Sequence, residues 1–287
     1  MVSFREKLKT LARKPKLALV VPKPAPVSDD LFMQTKYSQG VAYFDYNDTE
    51  AMRCFQLAAD KGHKIAQYYL GVGYSTGRGV VKNYAKAASW YILSARQGHA
   101  PAQHALGLCF LDGVGVEKNT EQARRHFQFA ADQHDADSQV YLGLLLVDED
   151  RASALRYFQL AAEQQHPEGH YMLGRLALTD PSAGPAVAFH YFDSAAKLGS
   201  AAAQYALGLF YLKGVHTAQD TDTAVELFKK SAAQLYNQAL FQLGMCYKLG
   251  WGVENDVTQA QECLQQAAKL GCEDATCYLR TCKCPNK

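Results

Sequence analysis

Residues 102–135, AQHALGLCFLDGVGVEKNTEQARRHFQFAADQHD, contain the pattern that the rest of the chain copies or modifies. Leu106-Gly107 lies in a helix-like run, Gly113-Val114-Gly115-Val116 marks a turn, and Ala123, Phe127 and Ala131 recur every four residues along a second helix-like run. Two such runs joined by a glycine turn predict an antiparallel helix pair.

The pair repeats along the whole chain. An alanine in the second helix recurs as Ala59, Ala95, Ala131, Ala162, Ala196, Ala232 and Ala268, at intervals of 36, 36, 31, 34, 36 and 36 residues. Eight residues before each lies Ala51, Ala87, Ala123, Ala154, Ala188, Ala224 or Ala260, and midway between lies Phe55, Tyr91, Phe127, Phe158, Phe192, Phe228 or Leu264. Positions four apart share a helix face, so each second helix carries a small-large-small ridge suited to close packing.

The first helix is marked by Leu70-Gly71, Leu106-Gly107, Leu142-Gly143, Leu173-Gly174, Leu207-Gly208 and Leu243-Gly244, with each leucine 11 residues after the preceding alanine anchor. The glycine-to-anchor distance varies, being 24 residues after Gly71, Gly107, Gly208 and Gly244, 22 after Gly174 and 19 after Gly143. The turn between units is therefore constant and the turn within a unit adjustable. Gly40 also stands 19 residues before Ala59, which aligns it with Gly143 and brings the count to seven hairpins.

Ala66-Gln67-Tyr68-Tyr69-Leu70-Gly71 with Gly77-Arg78-Gly79-Val80, and Ala203-Gln204-Tyr205-Ala206-Leu207-Gly208, resemble the Sel-one-like repeat family, a relative of the tetratricopeptide repeat. The resemblance covers roughly residues 30–279 and departs from the family pattern where the GxGV turn is missing after Gly40 and Gly143. Pro181-Ser182-Ala183-Gly184-Pro185 replaces that turn after Gly174, and Lys213-Gly214-Val215-His216 replaces it after Gly208. It implies an all-α, right-handed solenoid of seven hairpins that serves as a scaffold without activity of its own. Asp274-Ala275-Thr276-Cys277-Tyr278-Leu279 matches the start of another first helix, which predicts a capping helix over the last hairpin.

The expected organisation is a basic, proline-rich tail over 1–28 and one repeat domain over 29–287, with the cap and cysteine-rich end at 272–287. The formal net charge of +2 conceals an asymmetry, because residues 1–28 hold seven Lys or Arg against one Glu, leaving 23 basic against 27 acidic residues elsewhere. An acidic body argues against nucleic-acid binding by the repeats. Phe4, Leu8 and Leu11 stand at helical spacing among Arg5, Lys7, Lys9, Arg13 and Lys14, and Pro22, Pro24 and Pro26 follow. Such a segment fits a weak amphipathic anchor touching a membrane surface, a presequence-like element or a solvated tail. Leu17 to Val21 is too short for a signal-peptide core or a membrane span, so a cytoplasmic location is expected, with organelle targeting by the N-terminus left open.

Cys54, Cys109, Cys246 and Cys263 fall at equivalent repeat positions where small apolar residues pack, and are expected as free thiols. The family has a secreted subset whose hairpins are stapled by paired cysteines, and that regular pairing is absent, which favours a reducing compartment. Cys272, Cys277, Cys282 and Cys284 crowd the C-terminus with gaps of four, four and one residues, unlike the paired CxxC of zinc knuckles. A metal or redox module there is an alternative to a cap with incidental cysteines.

Successive His63, His99 and His134 recur about once per repeat, a spacing on the order of 10 Å that cannot place nitrogens at about 2 Å from one zinc. The Gly-x-Gly turns at Gly77, Gly113 and Gly250 follow helices, not strands, and read as turn glycines rather than a nucleotide loop. No nucleophile elbow, HExxH or Walker signature occurs, so neither catalysis nor a cofactor is expected.

With each Leu-Gly leucine facing the core, residues two before, two after and five after lie on the opposite side of the first helix. In tetratricopeptide-like stacks that stripe lines the concave groove. Here it comprises Tyr68, Val72, Ser75, His104, Leu108, Leu111, Val140, Leu144, Val147, Tyr171, Arg175, Leu178, Tyr205, Leu209, Leu212, Phe241, Met245 and Lys248. All but Ser75, His104, Arg175, Met245 and Lys248 are aliphatic or aromatic. Either the stripe receives a peptide or helix of a protein partner, or tight superhelical curvature buries much of it against neighbouring helices. A scaffold or adaptor is the leading expectation, with a membrane-localised assembly factor tethered by the basic N-terminus as the second.

Overall fold

A computed structural model describes residues 28–281, which form helices joined by short turns, with no strand among the described residues. Expectations placed on residues 1–27, and on Cys282 and Cys284, lie outside them. The helices are α1 (Asp29–Tyr43), α2 (Asp48–Ala59), α3 (Lys64–Thr76), α4 (Tyr84–Arg96), α5 (Ala100–Asp112), α6 (Thr120–Ala131), α7 (Ala136–Leu146) and α8 (Arg151–Glu163). They continue as α9 (Pro167–Leu178), α10 (Gly184–Lys197), α11 (Ala201–Lys213), α12 (Thr221–Ala233), α13 (Asn237–Leu249), α14 (Val257–Lys269) and α15 (Glu273–Thr281). Each packs on its two neighbours in sequence, giving seven hairpins in a right-handed solenoid with α15 as the closing helix.

Local chemistry sets each boundary. Second helices start at Asn47, Asn83, Asn119, Asp150, Asp220 and Asp256, whose side chains accept the backbone N–H near the end of the first turn. First helices stop at Gly77, Gly113, Gly214 and Gly250, all left-handed, so the chain reverses without a Cβ penalty.

The Leu-Gly marker has a packing cause. Gly107 faces the ring of Phe127, and a Cβ built there would stand 2.6 Å from Phe127 Cε1. Gly143, Gly174 and Gly208 face Phe158, Phe192 and Phe228 in the same way, while Gly40 faces Phe55, which confirms the first hairpin. These rings are buried, as are the alanine anchors except the half-buried Ala196 and Ala268. At the cap the pair becomes Leu279-Arg280, and the exposed Arg280 occupies the position where a further ring would otherwise be admitted.

Neighbouring hairpins are also clamped by a buried glutamine three residues before the leucine, which the repeat arithmetic did not single out. Gln103 donates to the carbonyl of Ala95 at 3.3 Å, and Gln133 donates to Gln103 Oε1 at 2.7 Å. Gln67 with Gln97, Gln139 with Gln164 and Gln204 with Gln234 repeat the arrangement. Each amide is buried and satisfied on both ends, so loss of one partner strands the other.

Candidate interaction groove

Residues two hairpins apart approach one another on the first-helix layer. Tyr171 and Tyr236, Tyr68 and Asp135, and Tyr205 and Asp274 are close enough to act on each other electrostatically. The stripe residues lie on this first-helix layer.

The two rows of the stripe behave differently. Residues two before the leucine lean on the ring of their own second helix: Tyr68 on Tyr91 at 5.9 Å, His104 on Phe127 at 5.6 Å, Tyr171 on Phe192 at 5.7 Å and Tyr205 on Phe228 at 6.1 Å. Several also reach the next hairpin, with Tyr68 on His99 at 5.2 Å and Tyr205 on Tyr236 at 5.5 Å. His104 Nδ1 stands 2.8 Å from Ser138 Oγ and 3.4 Å from Asp135 Oδ2. This row both ties hairpins together and presents ring edges to the groove.

The residues after the leucine are more open. Leu144 is 41% exposed and Leu178 49% exposed. Arg175 and Lys248 are exposed, while Val72, Ser75, Leu108, Leu111, Val147, Leu209, Phe241 and Met245 are half-buried. Val140 and Leu212 are buried. Local packing thus covers two stripe positions fully and leaves the rest with accessible surface.

A cavity of about 360 Å³ opens along this face, lined by Tyr205, Leu209, Leu212, Lys213, Gln242 and Trp251 among others. Three are stripe residues. Trp251, 44% exposed, comes from the Gly250-Trp251-Gly252 turn, where the other hairpins have Arg78 and Val114. A lone tryptophan in a repeat turn was the available signal for it.

Electrostatics along the groove follow burial. Burial pushes the phenols of Tyr68, Tyr171 and Tyr205 upward, and it raises Tyr236 to about 12 with help from Tyr171, Tyr205 and Glu168. Glu168 is itself raised by burial, offset by His166 and Arg175. Burial alone would raise Asp135 too, yet hydrogen bonds from His104 and Ser138 hold it at about 2. A carboxylate depressed in the fold adds stability above its unfolded value, and that stability is lost as pH falls from about 4 toward 2. We expect Asp135→Asn, which retains an oxygen to cap α7, to flatten acid unfolding across that window by at most roughly 2 kcal/mol, read by denaturant melts at stepped pH.

Among the described residues no group of three His, Cys, Asp or Glu is placed to hold a metal ion, and no helix is long and apolar enough to cross a membrane. Cys54, Cys246 and Cys272 are buried free thiols, Cys109 and Cys263 half-buried ones, and Cys277 is exposed.

Stacked antiparallel hairpins with a glycine-to-ring lock and glycine turns define a tetratricopeptide-like α-solenoid. The chain belongs to the Sel1 repeat family, which matches it at 37–63, 64–99, 100–135, 137–166, 167–200, 201–234 and 237–272. It is similar to the solved Sel1 repeat protein from Oxalobacter formigenes, at 30% identity over 87% of this chain and 76% of that one, with a TM-score of 0.73. It also resembles c5321, a protective antigen of uropathogenic Escherichia coli strains with an SLR fold, at 26% identity over 87% of this chain and 64% of that one, TM-score 0.55. DAP3-binding cell death enhancer 1 of Rattus norvegicus is 35% identical over 105 residues, which is 37% of this chain and 20% of that protein's length. Sel1 repeat solenoids are protein-interaction scaffolds, a non-enzymatic fold.

Proposed function

We propose that this chain is an adaptor that holds a peptide or helix of a protein partner along its concave face, without catalysis and without a cofactor. The observation that carries the reading is the cavity at Tyr205, Leu209, Leu212 and Trp251, continuous with a stripe that keeps surface on four further hairpins. A rigid aromatic wall beside aliphatic side chains suits one bulky anchor of a bound segment, the arrangement that dominates interface energetics. A relative whose own name records binding to another protein is in keeping with this.

Arg175 is the sharpest probe. It is exposed, lies over the Tyr171 ring at 6.0 Å and interrupts an apolar row formed by Val72, Leu108, Leu144, Leu209 and Met245. Reversal of its charge should leave helicity and melting nearly intact while weakening partner capture by about tenfold or more. Affinity capture with the wild-type chain and with Arg175→Glu, followed by mass spectrometry, reads this out. Equal recovery of every partner by the two chains would refute the groove.

A further inference from the structure

A second cavity, of about 460 Å³, lies on the opposite layer between α4 and α6, with α5 as its floor. In the six other hairpins the residue five before the alanine anchor is Cys54, Trp90, Tyr157, Tyr191, Leu227 or Cys263, and Trp90, Tyr157, Tyr191 and Leu227 pack into neighbouring cores. Here that residue is His126, stacked on Phe110 at 5.6 Å with an interplanar angle of 1°. The space it leaves is walled by Ile92, Leu106, Phe110 and Phe129. Its Nδ1 is buried and has no hydrogen-bond partner among the described residues, an uncompensated cost in the free chain. Phe129 is 54% exposed; the same position holds Leu57, Leu93 and Leu160 in the first, second and fourth hairpins and Ser194, Lys230 and Gln266 in the last three. Arg96 lines the same cavity, is exposed and forms no ion pair among the described residues.

We propose that this outer cavity is a second docking site, which takes an acidic peptide segment. A bulky apolar side chain of the segment fills the space beside Phe110 and Phe129, and a carboxylate about one helical turn away pairs with Arg96. Aromatic contact supplies the affinity, and the single cation selects acidic over basic segments. The site is independent of the concave groove.

The test is a random-peptide display library panned on the full chain, followed by titration of the recovered peptides. Recovered peptides should pair Phe, Trp, Leu or Met with Asp or Glu within one turn. Arg96→Glu should weaken them by about tenfold or more, and Phe129→Asp should abolish binding. Both positions are exposed, so circular dichroism should show both variants folded. Arg175→Glu, in the other face, should leave binding unchanged. Absence of enrichment, a basic or uncharged consensus, indifference to Arg96→Glu and Phe129→Asp, or loss on Arg175→Glu would each overturn the proposal.

Discussion

Phe127→Ala should cost about 3–5 kcal/mol and visibly lower or broaden the thermal transition. The ring is completely buried, stacks on Tyr141 at 5.1 Å, meets His104 at 5.6 Å and fills the space that Gly107 leaves open. It therefore joins α5, α6 and α7, the two helices of one hairpin and the first helix of the next. Removal loses both the transfer free energy of the ring and the contacts of its neighbours, since Gly107 cannot grow to refill the gap. Stability in such a stack is a sum of hairpin and nearest-neighbour terms, so the loss should spread outward from the third hairpin rather than act on the whole chain at once. Hydrogen exchange resolves this: amides of α5 to α7 should exchange before those of α11 to α14. Uniform exchange along the stack would contradict the nearest-neighbour description.

Gly115→Ala should cost about 3 kcal/mol, whereas Gly113→Asn, two residues earlier in the same turn, should cost less than about 1 kcal/mol. Both glycines have positive φ, 75° at Gly113 and 77° at Gly115, so backbone conformation alone does not separate them. Their surroundings do. A Cβ on Gly113 would stand 3.1 Å from Lys118 Cβ, a tight contact relieved by a few tenths of an ångström, while one on Gly115 would collide with the Tyr84 carbonyl of the preceding hairpin. Asparagine tolerates the left-handed region at Gly113, and backbone cannot yield at Gly115. Gly79 and Gly252 make the same approach to the Asp48 and Thr221 carbonyls, which makes the second glycine of the turn an inter-hairpin contact. Chemical denaturation of both variants measures the difference, and equal losses would assign the whole effect to φ.

Hairpin number, the order of helices and turns and the ring-bearing ridge were all legible in the sequence. They depend on periodicity and on local chemistry: alanine every fourth residue, Asn or Asp before a second helix, glycine after a first helix. Even the irregular first hairpin was readable from the spacing of Gly40 to Ala59, which equals that of Gly143 to Ala162, and both glycines face the ring of their own second helix.

Curvature was not readable, because it sums small rotations between hairpins that no single residue encodes. Packing in the stack leaves Val140 and Leu212 covered and Leu144 and Leu178 open, and places Trp251 beside Tyr205 and Leu209, 46 and 42 residues earlier in the chain. Gln103 and its counterparts look like ordinary polar helix residues in the sequence, and only the packed stack turns them into buried clamps, each held by an exposed glutamine such as Gln133. The cavity at His126 has the same origin. A histidine in place of a tryptophan or tyrosine is a modest substitution on one helix, and becomes an open hollow only when α4 and α6 stand side by side over α5.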